Sequence, residues 1–438
     1  MLQLESPPSG FANEFTLGAP AAKTTVKPGR GACRFCSSTK LHTVVDLGMS
    51  PLCENFLAKE QLNEVEPFYP LKALVCEECF LVQVEEYVGG REIFCGEYAY
   101  FSSYSDSWLR HAKKYADMIT QRLGLNENSL VVELASNDGY LLQNFVAKGI
   151  PCLGIEPADN VAAVAMKKGV PTRVLYFTEE LARELRAEGV RASLLAANNV
   201  LAHVPDLNSF VAGIQVLLAD DGVMTVEFPQ WLTTMNGNQF DSIYQEHYCY
   251  YSFYTVEKIF AAHGITLFDV EDLTTHGGSL RIYGRHTADR SKPVTPAVHA
   301  TRQREIDAGL TRVDTYRAFA EKVAATKRNL LDFLIQAKRA GKSVAAYGAP
   351  GKGNTLLNYC GIRADFIDYA VDRNPYKHGK FLPGTHIPVF APSKIAETRP
   401  DFVLILPWNL QDEIVQQLQY VREWGAKFVV PNPELTVF

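Results

Sequence analysis

Short apolar runs alternate with glycine-containing turns and helical stretches from about residue 130 onwards. We predict buried strands at residues 130–134, 151–155, 192–196 and 222–228, because each run is short, apolar and bounded by turn residues. The intervening segments have helical spacing. Strands that alternate with helices in this way form a parallel, doubly wound sheet, so the pattern predicts a Rossmann-like α/β unit.

The alternation stops and then begins again further along the chain. Two strands at 267–272 and 280–285 surround a Gly-Gly pair and predict an antiparallel hairpin at the sheet edge. Residues 295–340 are rich in Lys, Arg, Glu, Ala and Leu at helical spacing and predict a long connecting helix pair. Further strands at 343–347, 366–371 and 402–406 then predict a second, smaller α/β domain.

These elements divide the chain into four predicted parts. Residues 1–29 are rich in Pro, Gly, Ala, Ser and Thr without a period, which predicts a flexible tail. Residues 30–97 carry paired cysteines and form the second part. Residues 98–292 contain the first α/β unit, and residues 293–438 contain the helical linker and the second.

Composition excludes several classes of protein. The net charge is −6 and no basic stripe is present, which argues against a nucleic-acid partner. No apolar run is long enough to cross a bilayer, and no secretory signal is recognisable at the start. The nine cysteines include two CxxC pairs, a pattern that favours metal binding in a reducing compartment, so we expect a cytoplasmic protein.

The two CxxC pairs are the most specific local signal. Each pair presents two thiolates to one ion, and two pairs complete a tetrahedral zinc site with no open position, so this zinc should be structural. The five other cysteines lack such spacing and are expected to be small hydrophobic residues. The predicted zinc ligands are Cys33, Cys36, Cys76 and Cys79.

The end of the first predicted strand has the features of an S-adenosylmethionine (SAM) site. A single glycine, Gly139, lies among small polar residues in the turn, in place of the glycine-rich fingerprint that holds a pyrophosphate. Glu156 ends the next strand, where an acid accepts hydrogen bonds from ribose hydroxyls; alone, it would be equally consistent with a solvated acid. The predicted SAM-binding residues are Glu133, Ser136, Asn137, Gly139, Glu156 and Asn198.

A long segment follows the fourth strand, and no helix is predicted before about residue 254. It contains Tyr244, Glu246, His247 and Tyr248, a histidine beside a carboxylate and two phenols. Long loops in compact domains are often functional, and this one should overhang the methyl donor. We therefore predict a general base here, the alternative being aromatic packing around an incidental histidine.

The chain resembles the sugar C-3 methyltransferases of deoxysugar biosynthesis, which carry a zinc module and act on nucleotide-linked 4-keto sugars. The resemblance covers about residues 31–438 and rests on the paired CxxC module and the motifs ELASNDGYLL, NNVLAHV, YQEHY, HGGSLR and YGAPGKGNTLLNYC. It implies a zinc-binding module, a class I SAM methyltransferase domain and a Rossmann-like C-terminal domain, with the nucleotide sugar between the three.

The same resemblance implies roles for individual residues. His247 would be the base, with Tyr244 and Glu246 beside it and with His203 and Tyr98 nearby. The sugar or its diphosphate would contact the C-terminal glycine turn, through Lys352 and backbone N–H groups at a helix N-terminus. The resemblance implies a dTDP sugar as this substrate, bound by Lys352, Gly353 and Asn354.

The predicted chemistry is proton abstraction from the carbon next to a ketone. His247 would remove the proton, a phenol or imidazole (Tyr98, Tyr244 or His203) would donate to the enolate oxygen, and the carbanion would take the sulfonium methyl group. The alternatives are O- or N-methylation of another metabolite, an NAD-dependent oxidoreductase that uses the C-terminal turn, and a non-catalytic zinc scaffold. A monomer and a homodimer are both open.

Overall fold

The computed structural model describes residues 31–90 and 101–438. The predicted tail (1–29), Tyr98 and Cys95 lie outside these residues. Within the described ranges, no helix is long and apolar enough to span a bilayer.

The N-terminal part is a small antiparallel sheet with a one-turn 3-10 helix, Lys59–Asn63, between its first two strands. Its strands are β1 (Leu41–Ser50), β2 (Tyr69–Cys76) and β3 (Val82–Val84). A fourth strand, β9 (Cys249–Tyr250), comes from far along the chain and pairs with β3. This sheet therefore includes part of the segment predicted to carry the general base.

The central part is a seven-stranded sheet flanked by helices. Its strands are β4 (Val131–Leu134), β5 (Cys152–Ile155), β6 (Thr172–Arg173), β7 (Ala192–Asn198), β8 (Leu218–Pro229), β10 (Ile265–Leu273) and β11 (Ser279–His286). Its helices are α1 (Asp106–Leu123), α2 (Gln143–Val146), α3 (Asp159–Lys167), α4 (Glu179–Ala187), α5 (Leu207–Leu217), α6 (Trp231–Asn236) and α7 (Phe253–Ala262). Short 3-10 turns lie at Ser102–Tyr104, Leu201–His203, Phe240–Ser242 and Thr275–Gly277.

The strand order in this sheet is β10-β11-β8-β7-β4-β5-β6. Strands β8, β7, β4, β5 and β6 are parallel, and β10 and β11 form the predicted antiparallel hairpin. The predicted strands are confirmed, with one large shift: β8 begins at Leu218. Leu218 is buried and pairs with Ala192, and an irregularity before Val223 takes up the two exposed aspartates between them.

The segment between β8 and α7 is more ordered than predicted. It contains α6, one 3-10 turn and β9. The prediction that no helix occurs before residue 254 is therefore wrong. Trp231, Leu232 and Met235 recur at helical spacing and bury one face of α6 against the small sheet and the C-terminal part.

The C-terminal part consists of the predicted connecting helices and a second α/β sheet. The linker helices are α8 (Pro296–Asp307), α9 (Val313–Arg317) and α10 (Phe319–Arg339). The strands are β12 (Val344–Tyr347), β13 (Tyr369–Val371), β14 (Val389–Phe390), β15 (Phe402–Ile405), β16 (Lys427–Val430) and β17 (Thr436–Val437). The remaining helices are α11 (Gly351–Cys360), α12 (Lys394–Thr398) and α13 (Gln411–Gln417), with 3-10 turns at Pro375–Lys377, Trp408–Leu410 and Gln419–Trp424.

The order in the second sheet is β14-β13-β12-β15-β16-β17, and only β17 of these described strands runs antiparallel to its neighbour. The parallel strands place their carboxyl ends at one edge, and α11 follows β12 directly. The α/β fold class with three structural parts is confirmed.

Candidate active site and metal centre

The four predicted zinc ligands lie together. Their sulfur atoms are all within 4.8 Å of one another, and the Cys33–Cys79 and Cys36–Cys76 Sγ pairs are each 3.5 Å apart. A tetrahedral zinc with Zn–S bonds of about 2.3 Å places its sulfur ligands about 3.8 Å apart, so the thiols fit this ion. Four protein ligands leave no position for a substrate, which makes the centre structural.

The metal centre is coupled to the segment that carries His247. The backbone of Val82 and Gln83, three to four residues after Cys79, pairs with Tyr250 and Cys249. The Arg34 guanidinium, between the first two cysteines, donates to Val84 O and Pro205 O at 3.2 and 3.0 Å. The zinc centre therefore anchors the strand that begins two residues after His247.

The turn after β4 is held by Glu156. The backbone N–H groups of Asn137 and Ala158 donate to its two carboxylate oxygens, each at 2.9 Å. Glu156 is 4% exposed, and burial raises the pKa of its carboxyl group. The view of Glu156 as a solvated acid is wrong, since this carboxylate joins the ends of two neighbouring strands.

The same turn has polar atoms free for a ligand. Ser136 Oγ and Asp138 Oδ1 are buried and have no hydrogen-bond partner in the described part of the chain. Gly154 makes room for the serine, since a Cβ there would lie 2.4 Å from Ser136 Oγ. Glu133 is buried at the base of the turn, and burial raises its pKa well above its ordinary value. These small and polar groups fit the hydrogen-bonding ends of SAM.

Two other predicted SAM residues, Asn137 and Gly139, contact protein atoms in this region, and a third lies at the same edge. The Oδ1 atom of Asn137 accepts from the backbone N–H of Ser102 at 2.8 Å. Gly139 has φ +76°, and a Cβ there would lie 3.0 Å from Val170 Cγ2, so this glycine allows close packing against the protein. Asn198 is the last residue of β7, at the same edge of the sheet.

His247 lies in an aromatic cluster. Its ring centroid is 4.6 Å from that of His203, 4.0 Å from that of Tyr244 and 6.0 Å from that of Tyr250. Its Nδ1–H donates to Ser242 O at 2.9 Å. Because a carbonyl oxygen can only accept, this bond fixes the proton on Nδ1 and leaves the Nε2 lone pair free in the neutral ring.

Burial keeps the histidines of this cluster neutral. It lowers the pKa of His247 well below its ordinary value, with His203 contributing, and lowers the pKa of His203 to about 4. A neutral imidazole is the form that accepts a proton. The cluster can therefore act as a base at neutral pH.

The neighbours of His247 in sequence separate in space. Tyr248, one of the two phenols predicted beside the base, donates to Val88 O at 3.2 Å and lies under the Arg34 guanidinium. The Glu246 carboxylate accepts from Cys53 Sγ at 3.7 Å, and burial raises its pKa to about 8. Cys53 was predicted to be a plain hydrophobic residue, but its thiol contacts a carboxylate.

His276 lies near the histidine cluster, since it contributes to lowering the pKa of His247. This residue has φ +53°, its ring lies 5.4 Å from that of Trp108, and burial lowers its pKa to about 4. Its neighbour Gly277 packs so closely on Trp408 that a Cβ would lie 2.6 Å from the ring. The spacing of the HGGSLR motif in the sequence predicts only a hairpin turn.

The three residues predicted to bind substrate in the C-terminal turn differ in their surroundings. Asn354 Nδ2 donates to Cys53 O at 2.6 Å, and a Cβ on Gly353 would lie 2.9 Å from Leu406. Lys352 Nζ donates to Asn409 Oδ1 at 2.9 Å and lies 4.5 Å above the Trp408 ring. Asn354 and Gly353 thus pack against protein, and Lys352 lies near enough to His247 for its charge to lower the pKa of that ring.

Comparison with known proteins agrees with these features. Residues 33–94 match the family model of a zinc binding domain, residues 108–270 that of a methyltransferase domain, and residues 274–433 that of a C-methyltransferase C-terminal domain. The fold and the site define a SAM-dependent methyltransferase with a structural zinc centre.

The chain is 36% identical to the C-methyltransferase NovU of Streptomyces niveus over 405 residues, which cover 92% of this chain and 95% of that protein. The protein belongs to this family of C-methyltransferases. Among solved structures it is similar to a Burkholderia thailandensis 1,6-didemethyltoxoflavin-N1-methyltransferase, at 17% identity, a TM-score of 0.36, and coverage of 49% of this chain and 96% of that chain. A magnesium protoporphyrin IX methyltransferase from Synechocystis is similar at 14% identity, a TM-score of 0.31, and coverage of 44% and 88%.

Proposed function

We propose that this enzyme methylates C-3 of a nucleotide-linked 4-keto-deoxysugar, with dTDP as the nucleotide and His247 as the base. The observation that carries the proposal is the neutral His247 ring, held through Nδ1 by Ser242 O, with its Nε2 lone pair free. An imidazole of this kind suits the removal of a carbon-bound proton.

A ketone makes the adjacent C–H bond acidic enough for such a base. His247 takes the C-3 proton, and the electron pair of the C–H bond forms the enolate. The partly buried phenol of Tyr244 stays protonated, because desolvation raises its pKa well above its ordinary value, so it can donate a hydrogen bond in the cluster. The resemblance to the sugar methyltransferases also assigns Tyr98, His203 and Glu246 to this site.

The turn after β4 is the proposed SAM site. Ser136, Asn137 and Asp138 would hold the amino acid end, and Glu156 the ribose, with Glu133, Gly139 and Asn198 shaping the turn. When bound, SAM supplies the electrophilic methyl group. The protein residues bind and orient the two reactants at the carboxyl edge of the central sheet.

Methylation of an oxygen or nitrogen in another small metabolite is the competing function. It needs only a base beside a hydroxyl or amine, which the same cluster supplies. The relative's name and the C-methyltransferase C-terminal model favour carbon as the acceptor.

The deciding experiment is incubation of the purified enzyme with SAM and a panel of dTDP-4-keto-6-deoxysugars, followed by mass spectrometry and NMR. We expect a gain of one methyl group on carbon, and hydrogen–deuterium exchange at C-3 in D2O without SAM. Transfer to oxygen or nitrogen, without exchange at carbon, would contradict the proposal.

A further inference from the structure

Lys352 brings a positive charge from the C-terminal part to the histidine cluster. It is the second residue of α11, and burial lowers the pKa of its ammonium group while Asp241 opposes the shift. Its charge also lowers the pKa values of His247 and His276. The ammonium group therefore lies within electrostatic reach of the proposed base.

A connected set of contacts fixes this ammonium group relative to the base. Lys352 Nζ lies over the Trp408 ring, and the Trp408 indole N–H donates to Asp241 Oδ2 at 2.7 Å. Asp241 is fully buried and precedes Ser242, whose carbonyl accepts from His247. The cation and the base are thus held by adjacent residues of one segment.

The ammonium group retains hydrogen-bonding capacity. Its one hydrogen-bond partner in residues 31–90 and 101–438 is Asn409 Oδ1, at 2.9 Å. An ammonium group has three N–H donors, so two remain for a ligand. The nearby carboxylate of Asp241 helps to keep the group protonated in a partly buried position.

We propose that Lys352 is a catalytic residue that stabilises the enolate oxygen, an inference that rests on the proposed function. The C–H bond breaks, its proton moves to His247 Nε2, its electron pair forms the C=C bond, and the carbonyl π pair moves to oxygen. Lys352 donates a hydrogen bond to that oxygen and stays protonated. As the new C–C bond forms, the carbonyl is restored and the S–CH3 electron pair remains on sulfur.

The surroundings of the turn argue against a diphosphate as the partner of Lys352. The backbone N–H of Ala349 already donates to the Asp372 carboxylate at 2.7 Å, which places a negative charge at the turn. A Cβ on Gly351 would lie 2.9 Å from Cys53 Sγ, and one on Gly348 would lie 2.5 Å from Pro407. The turn is filled by protein, and an anion there would meet a carboxylate.

The test is Lys352→Met, which keeps an unbranched apolar stem and removes the charge, with Lys352→Arg as the charge-retaining variant. The exposed Lys380→Met is the matched control. Three quantities are measured: C-3 deuterium exchange without SAM, kcat and KM for methyl transfer, and the Kd of dTDP alone. Circular dichroism and the Kd of SAM show whether each variant is folded.

We expect Lys352→Met to lower both exchange and kcat by about 100-fold or more, as when a single oxyanion donor is removed. The Kd of dTDP should stay within about threefold of the wild-type value, and Lys352→Arg should recover part of the exchange rate. A dTDP Kd about tenfold higher with kcat retained would overturn the proposal in favour of diphosphate binding. If Lys352→Met exchanges deuterium at C-3 as fast as the wild type, this inference alone is overturned. If the wild-type enzyme itself neither catalyses exchange nor methylates any keto sugar, the proposed function is overturned.

Discussion

The two mostly parallel sheets of this enzyme have similar strand–turn–helix patterns but differ at the edge where their parallel strands end. In the central sheet, Ser136 Oγ and Asp138 Oδ1 lack partners in the described part of the chain. In the C-terminal sheet, the corresponding turn is filled by close contacts of Gly348 and Gly353 with residues that follow β15. A glycine in such a turn allows another group to approach the backbone closely. Whether that group is a ligand or a protein side chain depends on the residues around the turn.

The comparison also separates the roles of the two halves. The base segment follows β8 of the central sheet, and the zinc-bearing sheet holds it through β9. The C-terminal sheet contributes single side chains, Lys352 and Trp408, to the same cluster. In the proposed function, the central edge holds SAM and the base, and the second edge contributes Lys352 and Trp408 beside them.

The largest expected effect comes from His247→Ala, which tests whether the chemistry belongs to the central edge. Loss of the base should lower kcat by about a thousandfold. The Kd of SAM should not change, because His247 has no place in the proposed SAM turn. Tyr248→Phe is the matched control, since the hydroxyl that it removes points away, to Val88 O. Retained turnover in His247→Ala would contradict the base assignment.

A second pair of variants compares the two edges as ligand sites. Glu156→Gln weakens the carboxylate that holds two strand ends and is proposed to bind ribose, so the Kd of SAM should rise about tenfold or more. Asn354→Ala removes a bond to Cys53 O in the second edge and should leave the Kd of SAM within about twofold. Calorimetric titration measures both. A larger effect from Asn354→Ala would reverse the assignment of the two edges.

A third prediction concerns the filled turn itself. In Gly353→Ala, the new methyl group would lie 2.9 Å from Leu406 Cδ1 and 3.0 Å from Leu406 Cβ. Overpacking of this kind costs about 1–3 kcal/mol of the free energy of unfolding. Adding Leu406→Ala makes space, so the double variant should lose less stability than the sum of the single ones. Chemical denaturation measures this, and strict additivity would show that the turn has room for a ligand.

The sequence predicted the fold better than it predicted the site. Apolar periodicity located six of the seven described strands of the central sheet and three of the six in the second, because burial dictates those residues directly. The missed strands are β6, β14, β16 and β17, and all but β16 are only two residues long. The four cysteines were assigned correctly, since their spacing alone defines a tetrahedral site. Contacts between distant segments were beyond reach: nothing near Cys53 indicated Glu246, and nothing near Trp408 indicated Asp241. Such pairs arise from tertiary packing, which local spacing does not encode.

The last prediction is a pH dependence of stability that arises where the segment carrying His247 meets the N-terminal part. Burial raises the pKa of Glu246 from 4.5 to about 8, with Glu54 contributing and Cys53 opposing. Between these two pH values the folded protein holds a proton that the unfolded chain has released. The stability from this group is therefore complete below about pH 4.5 and is lost as the pH rises through about 8.

Glu246→Gln mimics the protonated carboxyl group and should flatten this loss. The free energy of unfolding, measured by denaturant titration at several pH values between 5 and 9, should fall with pH in the wild type and fall less in the variant. Glu78→Gln removes one exposed negative charge, from an ion pair with Lys40, and is the matched control. An equal fall of the unfolding free energy with pH in all three proteins would show that Glu246 is ionised at neutral pH. The Cys53 thiol would then donate to a fully charged carboxylate.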